Sequence, residues 1–586
     1  YQNFFNGVLE PLFYDALRRD RSEVDHYHVH FKCKIPFLNG GLFDPIGDYD
    51  WVNTDLLLPN ELFANKEIVN GDEGTGILDV FDRYNFTVRE DEPFEKEVAI
   101  DPELLGKAYE KFNAIRPDNF DEYQAALSDG KKGSESQFNK KFGVYYTPRE
   151  IVHYMCQQSL IQYLHTALNG QKAYRELGSG QQGMFGNEIK RGQLAMTAED
   201  DLPEISLQEI EELILRGERI KEHDARVVAA GRETSTYKFE MPPSIRANTA
   251  RLDEALAAVK VCDPAVGSGA FPVGMMNEIV KARDVLRVYG QADQTPEFLE
   301  NSGFSEKIST YQFKRACIEN SLFGVDIDPG AVEIAKLRLW LSLIVDEENP
   351  QNIKPLPNLD YKLMQGNSLL GLPESALINP ETLNKLEERK EEYFDETHPT
   401  KKKAYREEIS SLFEQLVESA RLFTPALGDV NFDFHTHFSE VFQENDGFDV
   451  VIGNPPYVQL QKDGGALADL YQNANYQTFS RMGDIYALFY EKGVQVLRQG
   501  GHLTFITSNK WMRAGYGKGL RNFLLKNTAI KRLIDFGDAP LFENATTYTN
   551  IFIGAKEKKQ QRPRVSDLSL QTDLMANLTA YLNAPV

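Results

Sequence analysis

A chain of 586 residues with 41% hydrophobic and 26% charged residues has room for several folded domains and the make-up of an ordinary globular protein. Its formal net charge of −24 is the wrong sign for a surface that grips phosphates throughout, and no apolar run is long enough for a membrane span. Four scattered cysteines (Cys33, Cys156, Cys262, Cys317) lack C-x-x-C spacing, which excludes a zinc ribbon or disulfide scaffold and predicts buried, reduced thiols in a cytoplasmic setting.

Residues 1–141 are expected to be mostly helical, and they offer no convincing metal-ligand set. Thr147-Pro148-Arg149-Glu150 then reads as an N-cap, a proline at the first helical position and an acidic first turn, predicting a helix over 151–167. Residues 172–256 are polar and broken by Gly and Pro, and read as an insertion, with 206–224 amphipathic. The run VKVC at 259–262 predicts a strand, Asp263-Pro264-Ala265-Val266-Gly267-Ser268-Gly269 a turn, and 272–286 a helix. Strand, glycine turn and helix make the cofactor corner of a Rossmann-like sheet. Gly267 and Gly269 let a ligand approach the backbone, and the helix start favours a carboxylate. Asp263 would repel a dinucleotide pyrophosphate but suits an ammonium, such as that of S-adenosylmethionine. The missing third glycine makes a nicotinamide dehydrogenase the weakest reading.

A further strand over 321–327 ends in acid, and a helix follows over 330–345. Asp326 is placed to grip a ribose by its hydroxyls, and Asp328 to cap the helix. The next strand end carries Gly366-Asn367-Ser368, where Asn367 could meet an adenine amino group. Residues 373–440 read as a second insertion, with a charged helical hairpin within 383–416 and Lys401, Lys402 and Lys403 on a solvated face. FDVVI at 448–452 predicts a buried strand that Gly453 ends, and Asn454-Pro455-Pro456-Tyr457 stands at its carboxyl end. Two rigid prolines hold the Asn454 amide and the Pro455 carbonyl as acceptors, and Tyr457 offers a face for stacking. That set suits methyl transfer to the exocyclic amine of a planar substrate. A helix over 484–497, a strand over 502–507, a helix over 519–525 and strands over 530–536 and 548–555 complete the pattern. Trp511 reads as an interior aromatic before a pocket cap.

Taken in order, FGVYYTPREIV (142–152), DPAVGSGAF, FGVDIDP, QGNSLLG and NPPY resemble the γ-class N6-adenine DNA methyltransferases, in particular the type IIG-like methylases of restriction–modification and phage-defence systems. The resemblance implies an α/β fold: a Rossmann-like, class I S-adenosylmethionine-dependent methyltransferase sheet with a helical amino-terminal region and helical insertions. It implies a methyltransferase domain over 142–560 and a linker beginning at 561–586. Tyr146, Thr147 and Pro148 match the segment that closes over the methionine part of the cofactor. Asp263, Pro264, Gly267 and Gly269 match its turn, Asp326 the ribose acid and Asn367 the adenine-edge position. Asn454, Pro455, Pro456 and Tyr457 match the catalytic tetrapeptide, and Phe542 a second aromatic against the flipped base.

On this reading the substrate is double-stranded DNA in a prokaryotic cytoplasm, with no metal and no membrane. Phosphate contacts are expected from Lys131, Lys132, Lys140 and Lys141, or from Lys510, Arg513, Lys518 and Arg521. The chain opens on Tyr1 and reads as a piece of a longer polypeptide, with target-recognition and nuclease domains expected elsewhere in it. The alternatives are a methyltransferase acting on RNA or on protein glutamine, and a catalytically silent scaffold that binds cofactor and DNA.

Overall fold

Short β-branched runs alternating with amphipathic helices bury their apolar surface best as a sheet covered on both faces. The computed structural model describes residues 3–38, 49–54, 56–69, 71–83, 85–87, 97–99, 147–176, 204–230, 240–292, 310–344, 356–372, 379–423, 431–537, 539, 541, 548–558 and 563–568. The chain divides into two units. One comprises Tyr1–Ala108, Lys336–Leu363 and Leu377–Phe423, the other Tyr109–Ala335, Met364–Ala376 and Thr424–Val586.

The larger unit is built on one sheet. Its strands are β1 (Val261–Asp263), β2 (Leu322–Asp326), β3 (Leu363–Gln365), β4 (Phe448–Gly453), β5 (Leu497–Ser508), β6 (Ala529–Asp535), β7 (Thr549–Ala555) and β8 (Arg564–Asp567). Among the described residues their spatial order is β8-β6-β7-β5-β4-β1-β2-β3. β2, β1, β4 and β5 run parallel, while β7 runs antiparallel to both β5 and β6. From β1 the chain steps outward to β2 and β3, then returns to the other side of β1 for β4. The reversal opens a crevice at the carboxyl ends of β1 and β4, the place where open α/β sheets bind ligands.

The helices are α1 (Arg149–Glu176), α2 (Leu207–Ala230), α3 (Thr249–Ala258), α4 (Ala270–Ala292), α5 (Thr310–Asn320), α6 (Pro329–Ile344), α7 (Pro380–Phe394), α8 (Pro399–Phe423), α9 (Tyr486–Val496) and α10 (Lys518–Asn527). Alternation along β5 assigns the covering layers, since neighbouring strand residues face opposite sides. His502 and Thr504 reach α1, where their side chains hydrogen-bond Thr166 and Ser159 at 3.0 and 2.8 Å. Leu503 and Phe505 face α9, where a Cβ added at Gly493 would lie 2.7 Å from Leu503. Phe448, Val451, Leu488, Phe489, Phe505 and Phe552 belong to the core on that side. Each such side chain stabilises the fold by about 1.5–3 kcal/mol when fully buried.

Apolar periodicity located most of these elements to within a few residues, and Asp328 caps α6 as expected, accepting from the Gly330 N–H at 3.0 Å. α1 begins at Arg149. The described parts of the polar stretch 172–256 are helical, and α2 packs on α1 and α4. In the smaller unit, α7 and α8 form the expected hairpin around Leu386, Tyr393, Ile409, Leu412 and Leu416. Asn379 caps α7 by accepting from the Glu381 N–H at 2.9 Å. Lys401 and Lys403 are exposed, but Lys402 is buried, because successive helical residues turn onto different faces. The amino-terminal stretch shows only short elements among its described residues: π-helical turns at Phe5–Leu9 and Pro11–Ala16, a helix at Ile77–Asp82 and strands of two or three residues. Cys156, Cys262 and Cys317 are buried as expected. Cys33 is exposed, because it sits in a two-residue strand whose residues are both exposed among the described residues. Among the described residues no helix is long and apolar enough to cross a membrane.

Candidate active site

Adjacent parallel strands bring their carboxyl ends to one rim, and there the sheet gathers Asp263 from β1, Asp326 from β2 and Asn454 after β4. Asp263 is 1% exposed. Its Oδ1 accepts from the Ala265 N–H at 3.0 Å, while its buried Oδ2 has no hydrogen-bond partner among the described residues. Burial pushes its carboxyl well above the usual aspartate range; the Ala265 N–H opposes the rise and the nearby Asp326 charge adds to it. Asp326 is raised as well, chiefly by burial, although the Asp328 and Gly267 N–H groups donate to it at 2.9 and 2.8 Å. Gly267 therefore ties the glycine turn after β1 to the acid that ends β2. Its φ of +51° is a conformation that side chains resist, and a Cβ there would meet nothing within 4 Å, so its outer side is open to a ligand.

The turn is held in turn by its neighbours. Pro264 C=O accepts from the Ser368 hydroxyl at 2.6 Å, and the Gly366 N–H donates to Asp326 C=O at 2.8 Å. Asn367 is less available than its sequence position suggests. Its Nδ2 donates to the Tyr471 hydroxyl at 3.0 Å and its Oδ1 accepts from the Leu369 N–H at 3.0 Å. Tyr476 holds the same turn by donating to Leu369 C=O at 2.8 Å.

Asn454, Pro456 and Tyr457 are half-buried and Pro455 is buried. The Asn454 amide is oriented by Thr147, whose hydroxyl accepts from Nδ2 at 3.2 Å. Holding the NH2 end of the amide fixes where its carbonyl oxygen points. Thr147 and Pro148 thus stand beside the tetrapeptide at the start of α1. Gly453 brings the two halves of the rim together, because a Cβ there would sit 2.6 Å from Asp263 Oδ1. Tyr146 and Phe542 lie outside the described residues, as do Lys131, Lys132, Lys140 and Lys141.

Sequence reasoning named Thr147 but missed its contact, and it missed Tyr471 and Ile327 altogether. Nothing local links Thr147 to Asn454, and the Tyr471 contact with Asn367 is equally long-range. Ile327, an isoleucine between two acids just past a strand end, is 68% exposed. The basic cluster is smaller than expected: Lys510, Arg513 and Lys518 are exposed, but Arg521 donates to Ala514 C=O at 3.0 Å and to Trp511 C=O. Both bonds come from Nη1, so these carbonyls hold one end of a half-buried guanidinium. Trp511 is an interior aromatic, 5% exposed, with its indole N–H donating to Asn550 Oδ1 at 3.2 Å. Among the described residues no group of three or more His, Cys, Asp or Glu side chains could hold a metal ion.

The sheet is thus a mixed α/β sheet with one antiparallel strand, β7, and a rim at its switch point, where open α/β sheets bind ligands. Residues 320–542 match the family model described as the Eco57I restriction-modification methylase. Over that stretch the chain is similar to restriction–modification methylases of this kind. A protein of Methanocaldococcus jannaschii named as a type II restriction enzyme and methyltransferase is 25% identical over 613 aligned positions, covering 91% of this chain and 43% of its own length. The type II restriction enzyme and methyltransferase RM.Eco57I of Escherichia coli is 26% identical over 304, covering 51% of this chain and 24% of its own length. The type II methyltransferase M.PaeR7I of Pseudomonas aeruginosa is 33% identical over 144, covering 24% of each chain. The chain spans less than half the length of each of these relatives.

Proposed function

We propose that this chain transfers a methyl group from S-adenosylmethionine to the N6 amino group of an adenine flipped out of duplex DNA, as the modification activity of a restriction–modification or phage-defence system. The observation that carries the reading is the Asn454 amide, oriented by Thr147 at the rim of β4 next to the buried Asp263. The relatives' names support DNA as the substrate.

The rim suits the cofactor. The unpartnered Oδ2 of Asp263 is an acceptor for an ammonium, and both Asp326 oxygens keep a lone pair for ribose hydroxyls. The exposed Ile327 offers an apolar face for the adenine ring, and the open side of Gly267 leaves room for the backbone to approach the ligand. Bound there, S-adenosylmethionine supplies an electrophilic methyl on a positively charged sulfur. The chain's part is to hold the acceptor amine. Adenine N6 is a poor nucleophile because its lone pair is delocalised into the ring. Accepting its two hydrogens at Asn454 Oδ1 and Pro455 C=O favours a tetrahedral nitrogen with an available lone pair. This is catalysis by position and pre-aimed dipoles, and the departing proton needs no strong base in the tetrapeptide. Taking the base out of the duplex costs a few kcal/mol. Stacking on Tyr457 returns about 1–3 kcal/mol of it.

The test is transfer of tritiated methyl from S-adenosylmethionine to DNA, RNA and protein in parallel, with the labelled product identified after digestion. N6-methyladenine in DNA alone is the expected result. Label in RNA or on glutamine would replace the substrate, and cofactor binding without label anywhere would make the chain a scaffold.

A further inference from the structure

Beneath the tetrapeptide lies a buried polar cluster that the chemistry above does not use. The Ile485 N–H donates to Val458 C=O at 2.8 Å and the Leu460 N–H to Gly483 C=O at 2.9 Å, with Gln459 opposite Asp484 in an isolated antiparallel bridge. The segment leaving Tyr457 is thus laced to the segment entering α9. Tyr486, in the first turn of α9, meets the Tyr457 ring edge-on, with centroids 6.0 Å apart and planes at 82°. Its hydroxyl donates to Asp484 Oδ2 at 3.0 Å and lies 3.0 Å from the Tyr516 hydroxyl. Tyr516 donates to the same carboxylate oxygen at 2.6 Å. Tyr486 is fully buried and Asp484 is 7% exposed.

Plain packing would not need this. An apolar side chain at 486 would fill the space with no carboxylate to desolvate, and a buried carboxylate is costly unless its hydrogen bonds are met. The hydroxyl bond to Asp484, whose carboxylate oxygen is also held by Tyr516, fixes the tilt of the Tyr486 ring. An edge-to-face pair is directional, so a fixed Tyr486 fixes the ring above it.

We infer that Tyr486, anchored by Asp484 and Tyr516, is a positioning residue that holds the Tyr457 ring at the angle required to stack on the target base, an inference that rests on the tetrapeptide reading above. Tyr486 does not touch the substrate. Its effect passes through Tyr457, so removing Tyr457 must remove it.

The experiment is a double-mutant cycle in the naturally encoded protein, with tritiated methyl transfer to genomic DNA from a strain lacking adenine methylation as the readout. Tyr486→Leu is expected to lower kcat/KM for DNA by about two- to tenfold, the worth of one edge-to-face pair, with cofactor affinity by calorimetry unchanged. In a Tyr457→Ala background the same substitution is expected to cost less than about twofold. Equal losses in both backgrounds, or a parallel loss of cofactor affinity, would overturn the inference. Where Tyr486→Leu does not fold, Tyr486→Phe and Tyr516→Phe keep the rings, release the anchor and carry the same cycle. An Asn454→Ala control separates the two levels: if it still transfers at the wild-type rate, the tetrapeptide reading falls and takes this inference with it. If it is inactive and the cycle is additive, only this inference falls.

Discussion

At position 453 there is space for a hydrogen and nothing larger, because Asp263 Oδ1 occupies the volume a Cβ would take. Asp263 and the strand end that leads into the tetrapeptide are therefore packed against each other, and the state of one bears on the other. Asp263 is held above the usual aspartate range, first by burial. A carboxyl raised in the folded state stabilises the fold below its unfolded pKa, near 3.8. That contribution disappears as pH rises through the folded value. An ammonium placed against Oδ2 favours the ionised form, so cofactor binding should expel a proton. Calorimetry in buffers of different ionisation enthalpy, run just above the ordinary aspartate range, is expected to show net proton release, lost in Asp263→Asn. Binding with no proton change in the wild type would mean that the cofactor's ammonium sits elsewhere. Asp263, Asp326 and Asn454 were legible in sequence because each stands at the end of a short apolar run. Thr147 was legible only by resemblance, and its bond to Asn454 spans 307 residues, which no local pattern encodes.

Among the elements, the α7–α8 hairpin shows where periodicity stops being enough. Apolar spacing along the two helices foretold their pairing, but not the polar joint at their base. There Asp360 takes the Lys336 ammonium at 2.7 Å and the Tyr393 hydroxyl. Burial alone would raise the Asp360 carboxyl, yet Lys336 and the tyrosine bring it down to about 2. A lowered carboxyl stabilises the fold above its unfolded pKa, near 3.8, and loses that contribution as pH falls toward about 2. Asp360→Asn removes the carboxylate that meets the Lys336 ammonium at 2.7 Å, where the lysine side chain is 7% exposed. Since Asp360 itself keeps about a quarter of its surface in water, the cost is expected near 2 kcal/mol, the scale of a charged hydrogen bond. Denaturant unfolding at neutral pH should show that loss, and the gap to wild type should close as pH falls from 4 toward 2. A variant as stable as wild type at neutral pH would show the joint to be dispensable. None of these partners is close in sequence, and Asp360 sits in a stretch with no helical or strand pattern.

For the whole molecule, the α/β class of the sheet was legible because most apolar runs are followed by a turn and then a helix, a rhythm that suits a doubly wound sheet. The charge of −24 was equally plain, and the structure narrows where DNA phosphates could be met. Lys510, Arg513 and Lys518 after β5 are the exposed cations of that cluster, while Arg521 is half-buried with Nη1 on backbone carbonyls. What the sequence could not show is the convergence itself. A hydroxyl before α1, a glycine ending β4 and an acid ending β1 meet at one place only once the sheet is assembled.

The most direct measurement is of Asn454→Ala, with methyl transfer to DNA and S-adenosylmethionine affinity determined on the same preparation. The substitution removes the oriented acceptor and touches neither Asp263 nor Asp326, so transfer should fall by about a hundredfold or more, the cost of losing one pre-aimed polar contact, while cofactor affinity stays within about twofold. Transfer at the wild-type rate would contradict the account outright. An equal collapse of affinity and transfer would show that Asn454 holds the fold, not the amine.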